Sequence, residues 1–325
     1  MSGIKKTLLF LGLFVIAAVL LAMIYVKTAL PNVGDAQVMK VVATPEKIER
    51  GRYLANHVTI CIDCHSKRDW SKFSGPIVTG TIGMGGELFD QKFGFPGSYY
   101  SKNITPSGIS GYTDGELYRA ITTGVNKDGA AMFPVMPFHN YGKMDPEDIK
   151  AIIAYVRTLA PIENKVPESS SDFPMNFIIN TIPQKAIPSK RPDPKNTVAY
   201  GEYLATASSC IDCHTQFEKG EFVAGAEFAG GREFPFPDGS IVRSANITPH
   251  PSGIGDLSKE SFIALFKSRE DFSKLQSGIK PGEYNSIMPW TMFGGMKNED
   301  LAAIYDYLKT LKPIEKKVEK FTKGG

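Results

Sequence analysis

A five-residue block occurs twice in this chain and constrains its fold more than any other feature. Cys61-Ile-Asp-Cys-His65 recurs as Cys210-Ile-Asp-Cys-His214, and these two copies contain all four cysteines of the 325 residues. No cysteine is left over for a disulfide framework. Each local fold must therefore be built around two thiols and an imidazole that lie side by side.

Other blocks repeat in the same order around this motif. The matched pairs are Gly51–Leu54 with Gly201–Leu204, Asn103–Pro106 with Asn246–Pro249, Val135–Phe138 with Ile287–Trp290, and Tyr155–Leu159 with Tyr307–Leu311. Chance does not keep so many blocks in one order, and self-similarity of this kind indicates tandem units. The predicted organisation is a repeat unit at 44–163, a proline-rich strap at 164–196, a second unit at 197–316, and a basic tail at 317–325.

The N-terminal segment is apolar over Thr7–Val26, without a charged residue. A helix of this length spans the hydrocarbon core of a bilayer, which is about 30 Å thick. A cleaved signal peptide has a shorter apolar region of about 7–15 residues, so we expect a retained helix. Lys5 and Lys6 favour a cytoplasmic N-terminus. Residues 1–35 are thus predicted to form a single-pass anchor and short stalk in the cytoplasmic membrane, with the rest of the chain on the periplasmic side.

Three helices are predicted in each unit. Those of the first unit begin at Thr44-Pro45, at Thr113 with Glu116 three residues on, and at Asp145-Pro146, which are helix-start signals. Their counterparts begin at Thr197, Ser258 and Asn298. Three helices with long Gly- and Pro-rich connections give only a thin apolar core. We therefore expect an all-α fold in which a bound group fills the middle of each unit.

The strap is predicted to be extended rather than helical. Six prolines lie between Asn164 and Asn196, and each removes a backbone donor and blocks the preceding turn. The apolar stretch Phe173–Ile182 predicts that the strap packs on the two domains.

The block Cys-x-x-Cys-His is the attachment signature of c-type haem. Its thiols form thioether links to the porphyrin, and the imidazole coordinates the iron. A zinc ribbon would need its two cysteine pairs about 15–20 residues apart, a thioredoxin-type pair would need alternating strands and helices, and a structural disulfide would need no histidine. We predict two covalently bound haem c groups, attached through Cys61, Cys64, His65, Cys210, Cys213 and His214.

The sixth iron ligand is predicted to be a methionine in each unit. Met136 and Met288 occupy matching Met-Pro-aromatic blocks, in which the proline stiffens the loop. Met144 and Met296 also align and are the rival candidates. The predicted metal ligands are His65, Met136, His214 and Met288. The remaining histidines, His57, His139 and His250, are interpreted as surface or loop residues.

These motifs resemble class I cytochrome c domains, and the whole exported region resembles a membrane-anchored dihaem cytochrome c. The resemblance implies a glycine–aromatic contact where the first and last helices of each unit cross, between Gly51 and Tyr155 and between Gly201 and Tyr307. Gly75-Pro76 resembles the loop whose proline carbonyl orients the haem histidine. The second unit has Val223–Ala226 there, without a proline, which implies that the two sites differ.

The resemblance implies an electron carrier rather than an enzyme, because histidine and methionine together leave no vacant coordination position on the iron. Its expected partners are redox proteins, such as a membrane dehydrogenase, a quinol-oxidising complex or a terminal oxidase. Two alternatives stay open: a dihaem enzyme, either a peroxidase or an oxidase of small substrates, and a fixed cytochrome subunit of a dehydrogenase or oxidase complex. The net charge of +3 gives no reason to expect a nucleic-acid partner.

Overall fold

The computed structural model describes residues 3–218, 220–270, 278–280 and 282–324. The first half contains the helices α1 (Gly3–Thr28), α2 (Pro45–Tyr53), α3 (Cys61–Cys64), α4 (Pro106–Ile109), α5 (Asp114–Thr123), α6 (Phe138–Tyr141) and α7 (Pro146–Val156). The strap contains α8 (Met175–Ile178), and the second half contains α9 (Thr197–Ala207), α10 (Cys210–His214), α11 (Lys259–Lys267), α12 (Trp290–Gly294) and α13 (Asn298–Thr310).

The predicted helix starts are confirmed. Thr44 caps α2 by accepting a hydrogen bond from the backbone of Lys47, and Pro45 is the first helical residue. Thr113 and Glu116 form a complete capping box at the start of α5. Asp145 caps α7, and the second-half helices begin at or directly after the predicted residues. Side-chain caps therefore set five of these six starts, whereas α13 begins after Lys297 without one.

The long helices of each half cross at a glycine. Helix α2 packs on α7, and α9 packs on α13. A Cβ atom on Gly51 would lie 1.8 Å from the carbonyl oxygen of Ala151 and 2.9 Å from the Cβ of Tyr155. A Cβ atom on Gly201 would lie 1.9 Å from the carbonyl oxygen of Ala303. Only glycine permits such an approach, so the helices cross at a glycine in both halves. The expected contact with tyrosine is present at Gly51, whereas the atoms nearest to a Cβ on Gly201 belong to Ala303 and Ile304.

The prediction of an all-α fold is incomplete, because short strands lie between the helices. They are β1 (Leu88–Phe89), β2 (Gly97–Tyr100), β3 (Ser170–Ser171), β4 (Phe217–Glu218), β5 (Glu221–Phe222), β6 (Glu233–Pro235), β7 (Ile241–Arg243) and β8 (Phe321–Thr322). They pair antiparallel in the orders β1-β2-β3, β4-β5 and β6-β7-β8. Strands this short leave no readable alternation of apolar and polar residues.

Two of these strands bind the strap and the tail to the body. In the strap, β3 pairs with β2, with Ser171 opposite Gly97. In the tail, β8 pairs with β7, with Phe321 opposite Val242. Strand β3, at the beginning of the strap, and strand β8, in the tail, therefore occupy equivalent positions in the two halves.

The remainder of the strap contacts two different parts of the molecule, the first half and helix α1. Ser189 donates its backbone N–H to the carbonyl of Lys143, and Arg191 pairs with Asp148. By contrast, α8 and the 3-10 turn after it contact α1. The apolar part of the strap therefore also lies beside the N-terminal helix, a contact that the sequence did not predict.

The two halves meet through reciprocal contacts. The hydroxyl of Tyr53 donates to Asp300 at 2.5 Å, and the hydroxyl of Tyr203 donates to Asp148 at 2.7 Å. The two tyrosines occupy equivalent positions in the repeat, as do the two aspartates. The same patch of each half therefore faces its counterpart, as in a two-fold symmetric dimer.

Helix α1 stands apart from this body. It has no buried residue, and it is long and apolar enough to cross a membrane by length and composition, a test that a signal sequence near the N-terminus also passes. Its C-terminal end touches the strap, where Lys27 donates to the carbonyl of Asn176 at 2.8 Å.

Candidate haem-binding sites

Each cysteine motif forms a short helix that begins after a residue in the left-handed conformation. This residue is Ile60 (φ 47°) before α3 and Ser209 (φ 55°) before α10. A β-branched residue such as isoleucine adopts this conformation only under strain. The kink redirects the chain into the motif, where the cysteines three residues apart lie on the same helix face.

All four cysteines are free thiols. Burial raises the pKa of the Cys64 and Cys210 thiols to about 12. Within the described ranges, no group of three or more His, Cys, Asp or Glu side chains is arranged to hold a metal ion. The zinc interpretation therefore lacks a ligand set in that part of the chain.

The histidine of each motif is held by a backbone carbonyl. Nδ1 of His65 lies 2.6 Å from the oxygen of Lys102, and Nδ1 of His214 lies 2.7 Å from the oxygen of Ala245. A carbonyl oxygen can only accept, so Nδ1 carries the proton and Nε2 keeps its lone pair. Burial lowers the pKa of both imidazoles, against the opposing effect of these hydrogen bonds, and so favours the neutral ring. Two free thiols and an imidazole with a free Nε2 fit covalent haem c.

The orienting carbonyl is not the one that the resemblance implied. The oxygen of Pro76 instead accepts a hydrogen bond from the backbone of Asp69 at 2.8 Å. Lys102 and Ala245 each directly precede an Asn-Ile-Thr-Pro block, so the two sites use equivalent carbonyls. The expectation that the missing proline makes this hydrogen bond differ between the sites is therefore wrong. A backbone carbonyl needs no particular side chain, which is why residue identity gave no signal.

The Asn-Ile-Thr-Pro block anchors the chain directly after that carbonyl. Asn103 accepts hydrogen bonds from the backbone N–H and the hydroxyl of Thr105, at 2.9 and 2.7 Å, and donates to the carbonyl of Ile162 at 2.8 Å. The second copy repeats these bonds at 2.9, 2.8 and 2.9 Å, through Asn246, Thr248 and Ile314. The repeated block therefore holds the orienting carbonyl in place.

A glycine completes each histidine support, and the sequence interpretation missed it. Gly85 donates its N–H to the carbonyl of His65 at 2.8 Å, and Gly230 donates to the carbonyl of His214 at 2.7 Å. A Cβ atom on these glycines would lie 2.5 and 2.4 Å from the carbonyl carbon of the orienting residue. Their φ angles are +71° and +70°. The sequence does contain a signal for these glycines, because a Gly-Gly pair occurs at matching places in both halves.

The two predicted methionine ligands lie in separate backbone turns of the same type. The carbonyls of Met136 and Met288 each accept a hydrogen bond from the N–H two residues on, at 2.8 Å. Pro137 has φ −78° and ψ 57°, and Pro289 has φ −78° and ψ 68°. These angles define an inverse γ-turn in each copy, so the two methionine loops share one conformation.

The rival methionines occupy a different environment. Met144 and Met296 are each 1% exposed and belong to the apolar core, whereas Met136 and Met288 are half-buried at its edge. A side chain enclosed by the core packs as a hydrophobic residue. This placement favours Met136 and Met288 as the available thioethers.

The methionine loops lie at the interface between the halves. Next to the first loop, the side chains of Asn140 and His139 approach Asp212 of the second cysteine motif at 2.9 and 3.0 Å. In the other direction, the hydroxyl of Ser74 donates to the carbonyl of Met288 at 2.5 Å. Each methionine loop is thus held by the opposite half.

His57 is not the surface residue that the sequence suggested. It is half-buried at this interface, where Nδ1 donates to the carbonyl of Met292 at 2.9 Å. Burial lowers its pKa. His139 is exposed, and Nδ1 of His250 makes only a local contact with Ser252.

One family model matches part of the chain. Residues 198–312 match the family model of cytochrome c. This range includes Cys210, Cys213, His214 and Met288. A cytochrome c domain carries covalent haem c, which agrees with the donor set described above.

Three curated relatives are similar to most of the chain. The cytochrome c subunit of the quinone-dependent alcohol dehydrogenase of Gluconobacter oxydans is 28% identical over 82% of this chain and 55% of its own length. The gluconate 2-dehydrogenase cytochrome c subunit of Pantoea cypripedii is 27% identical over 81% of this chain and 59% of its own length. A dihaem c-type cytochrome of Cereibacter sphaeroides is 25% identical over 78% of this chain and 83% of its own length. The chain thus spans little more than half of the two dehydrogenase subunits.

Proposed function

We propose that this chain is a membrane-anchored dihaem c-type cytochrome that relays electrons between a membrane or periplasmic donor and an acceptor. The observation that carries the proposal is the matched pair of histidines, each donating Nδ1 to an equivalent carbonyl beside two free thiols. When bound, haem c supplies a reversible Fe(III)/Fe(II) couple. The family match at 198–312 and the dihaem relative support the assignment.

In this proposal each repeat unit is a cytochrome c domain, at 44–163 and at 197–316. The glycine crossing, the left-handed residue before the motif, the orienting carbonyl and the Met-Pro turn occur in both halves. The same support elements therefore serve both cofactors. Cys61, Cys64, His65 and Met136 would hold the first haem, and Cys210, Cys213, His214 and Met288 the second.

A thioether as sixth ligand favours electron transfer over catalysis. Methionine and histidine together leave no open position for oxygen or peroxide, and the soft sulfur favours the reduced state. The chain would then act by holding each methionine loop rigidly against the opposite half. The contacts of Asn140 with Asp212 and of Ser74 with the Met288 carbonyl support that rigidity.

A dehydrogenase is the partner that the relatives favour. The first matches carry the names of cytochrome subunits of alcohol, fructose and gluconate dehydrogenases. We infer that this chain accepts electrons from such a partner as a subunit of its complex. In the full proposal, α1 is retained as a single-pass anchor with a cytoplasmic N-terminus, and the haem domains lie in the periplasm.

Haem stoichiometry tests the proposal directly. Purified membrane protein should contain two covalent haems per chain in a pyridine haemochrome assay. A Cys61→Ala/Cys64→Ala variant and a Cys210→Ala/Cys213→Ala variant should each retain one. A chain with one haem, or with haem that reacts with peroxide, would contradict the dihaem carrier and favour the enzyme alternative. Gentle detergent extraction followed by size analysis would then distinguish a lone cytochrome from a subunit.

A further inference from the structure

One segment of the strap is apolar without being enclosed. Phe173–Gln184 contains no charged residue, whereas Asp172 and Lys185 flank it directly. Its large apolar residues are Phe173, Met175, Phe177, Ile178, Ile179 and Ile182. None of them is buried, and Phe173 and Ile178 are 80% and 44% exposed. Water is an unfavourable environment for such a cluster.

This segment lies against the end of α1. The ammonium group of Lys27 donates to the carbonyl of Asn176 at 2.8 Å and lies 4.8 Å from the ring centroid of Phe177. Both α8 and the turn Ile179–Thr181 contact α1. The apolar cluster is therefore continuous with the apolar surface of the N-terminal helix.

The end of α1 has the residues of a membrane boundary. Tyr25 is 60% exposed, and Lys27 is the basic residue of the last turn. Aromatic rings and lysines at this position mark the level of the lipid headgroups, where the lysine stem lies along apolar surface and its charge remains hydrated. A segment held by Lys27 then lies at the same level.

We propose that Phe173–Ile182 lies in the boundary between headgroups and acyl chains beside α1, so that the lipid bilayer is the partner of this surface. The inference rests on the retained anchor of the proposed function. Continuity with α1 favours lipid over a protein partner. The short helix α8 and the 3-10 turn that follows it are also too small for a stable protein interface, which buries about 1,200 Å² or more.

This contact would give the haem domains a second attachment to the membrane. Directly before the segment, Ser171 pairs with Gly97 and the backbone of Asp172 donates to the carbonyl of Pro96 at 3.0 Å. The segment is thus fixed to the first half as well as to α1. Two attachments restrict rotation of the body about the anchor, which one helix and a stalk would allow.

Spin-label accessibility in liposomes tests the proposal with the full-length haem-loaded protein. Because haem attachment consumes the four native cysteines, an introduced cysteine is the reactive thiol for a nitroxide. The test positions are Phe173→Cys and Ile178→Cys. The matched control is Phe217→Cys, a phenylalanine of the second half that is 42% exposed, close to the 44% of Ile178.

We expect both test probes to collide more with oxygen than with a water-soluble nickel chelate, and the control probe to show the reverse. Test probes that are as accessible to nickel as the control would overturn the proposal. Probes shielded from both reagents would also overturn it, because they would indicate a protein surface as the partner. Chain mass and haem absorbance of the same samples report separately on the anchor and on the cytochrome assignment, and a mass that lacks α1 would overturn this inference while leaving the haem assignment intact.

Discussion

Each candidate iron-binding histidine is oriented by a backbone carbonyl whose position depends on a glycine. Gly85 bonds to the carbonyl of His65 and packs directly on the orienting residue, and Gly230 does the same for His214. Because glycine has no side chain, the segment that contains it can pack directly on the segment that carries the orienting carbonyl. The orientation of each imidazole is thus determined by backbone packing rather than by another side chain.

Replacing Gly85 with alanine should therefore change the first haem site alone. The added Cβ displaces the Lys102 carbonyl and weakens its bond to Nδ1 of His65. That bond makes the imidazole a stronger donor to Fe(III), so its loss should raise the reduction potential of the first haem. A redox titration with spectra resolved for each haem measures this.

The matched control is Gly80→Ala, which has φ +81° and nothing within 4 Å of an added Cβ. It adds the same backbone strain without the clash, and the first haem should keep its potential. Equal shifts in Gly85→Ala and Gly80→Ala, or no shift in either, would show that the glycine does not position the carbonyl.

The methionine assignment predicts a different change. Met136→Ala should open the first iron, so that the reduced protein binds carbon monoxide at one haem of two. Met144→Leu is the control, because a volume-conserving change at a core residue costs under about 1.5 kcal/mol and leaves the ligand in place. Carbon monoxide difference spectra decide the matter. If Met144→Leu opened the site and Met136→Ala did not, the assignment would be reversed.

At the residue scale, side-chain motifs were predictable and backbone supports were not. The thiols, the imidazoles and the Met-Pro turns follow from residue types and their repetition. The carbonyls of Lys102 and Ala245 belong to dissimilar residues, because their function lies in the main chain. The resemblance implied the carbonyl of Pro76, which instead accepts a hydrogen bond from the backbone of Asp69.

Among the secondary-structure elements, the helix crossings stabilise both halves of the chain. An alanine at Gly51 or Gly201 would place a Cβ within 2 Å of a backbone oxygen of the facing helix. Each substitution should lower the free energy of unfolding by about 3 kcal/mol, the upper end of the usual cost of overpacking. Denaturant titration of the haem-loaded protein measures this loss.

The control for this prediction is Gly111→Ala, where an added Cβ has nothing within 4 Å. It should change the free energy of unfolding by less than about 0.5 kcal/mol, as surface substitutions usually do. Similar losses at Gly51 and Gly111 would argue against a close crossing of α2 and α7.

The reciprocal tyrosines predict a pH dependence of stability. Burial, together with Asp300 for Tyr53 and Asp148 for Tyr203, raises the pKa of each phenol above its ordinary value of about 10. The phenols also face Tyr200 and Arg50, and the backbone N–H groups of Lys297 and Asp145 donate to their hydroxyls.

Because the folded pKa is raised, this stabilisation is complete below about pH 10 and is lost as the pH rises through the folded pKa. The free energy of unfolding should therefore fall more steeply above pH 10 in the wild type than in Tyr53→Phe/Tyr203→Phe. Unfolding titrations across that pH range test this. Identical slopes would show that the phenols do not titrate with unfolding.

The long helices were predictable as elements because their caps are local signals. The helix starts are marked by N-cap residues within the local sequence, namely Thr44, Thr113 and Asp145. The short strands β3 and β8 depend instead on partners far along the chain, β2 and β7. Long-range pairing of this kind leaves no local pattern.

At the scale of the whole molecule, the halves are arranged so that each supports the other's methionine loop. Ser74 holds the loop of Met288, and the residues after Met136 contact Asp212. The arrangement is not fully symmetric. Asp148 also pairs with Arg50 and with Arg191 of the strap, whereas Tyr200 occupies the position equivalent to Arg50 in the second half.

The repeat predicted two units but not how they face each other. Tyr53 and Asp148 look like ordinary helix residues in the sequence, but each also bonds to a residue of the opposite half, Asp300 and Tyr203 respectively. A duplicated sequence specifies the same surface twice, without stating that the two copies meet. The relation of the halves therefore required the structure.

We expect this chain to hold two haems, with histidine and methionine as the iron ligands of each. The near-infrared methionine-to-iron band of the oxidised protein, measured against the haem content of the same sample, tests this assignment. The band should have the intensity of two methionine-ligated haems per chain. A band of half that intensity or less, with high-spin haem in its place, would contradict the electron-carrier assignment.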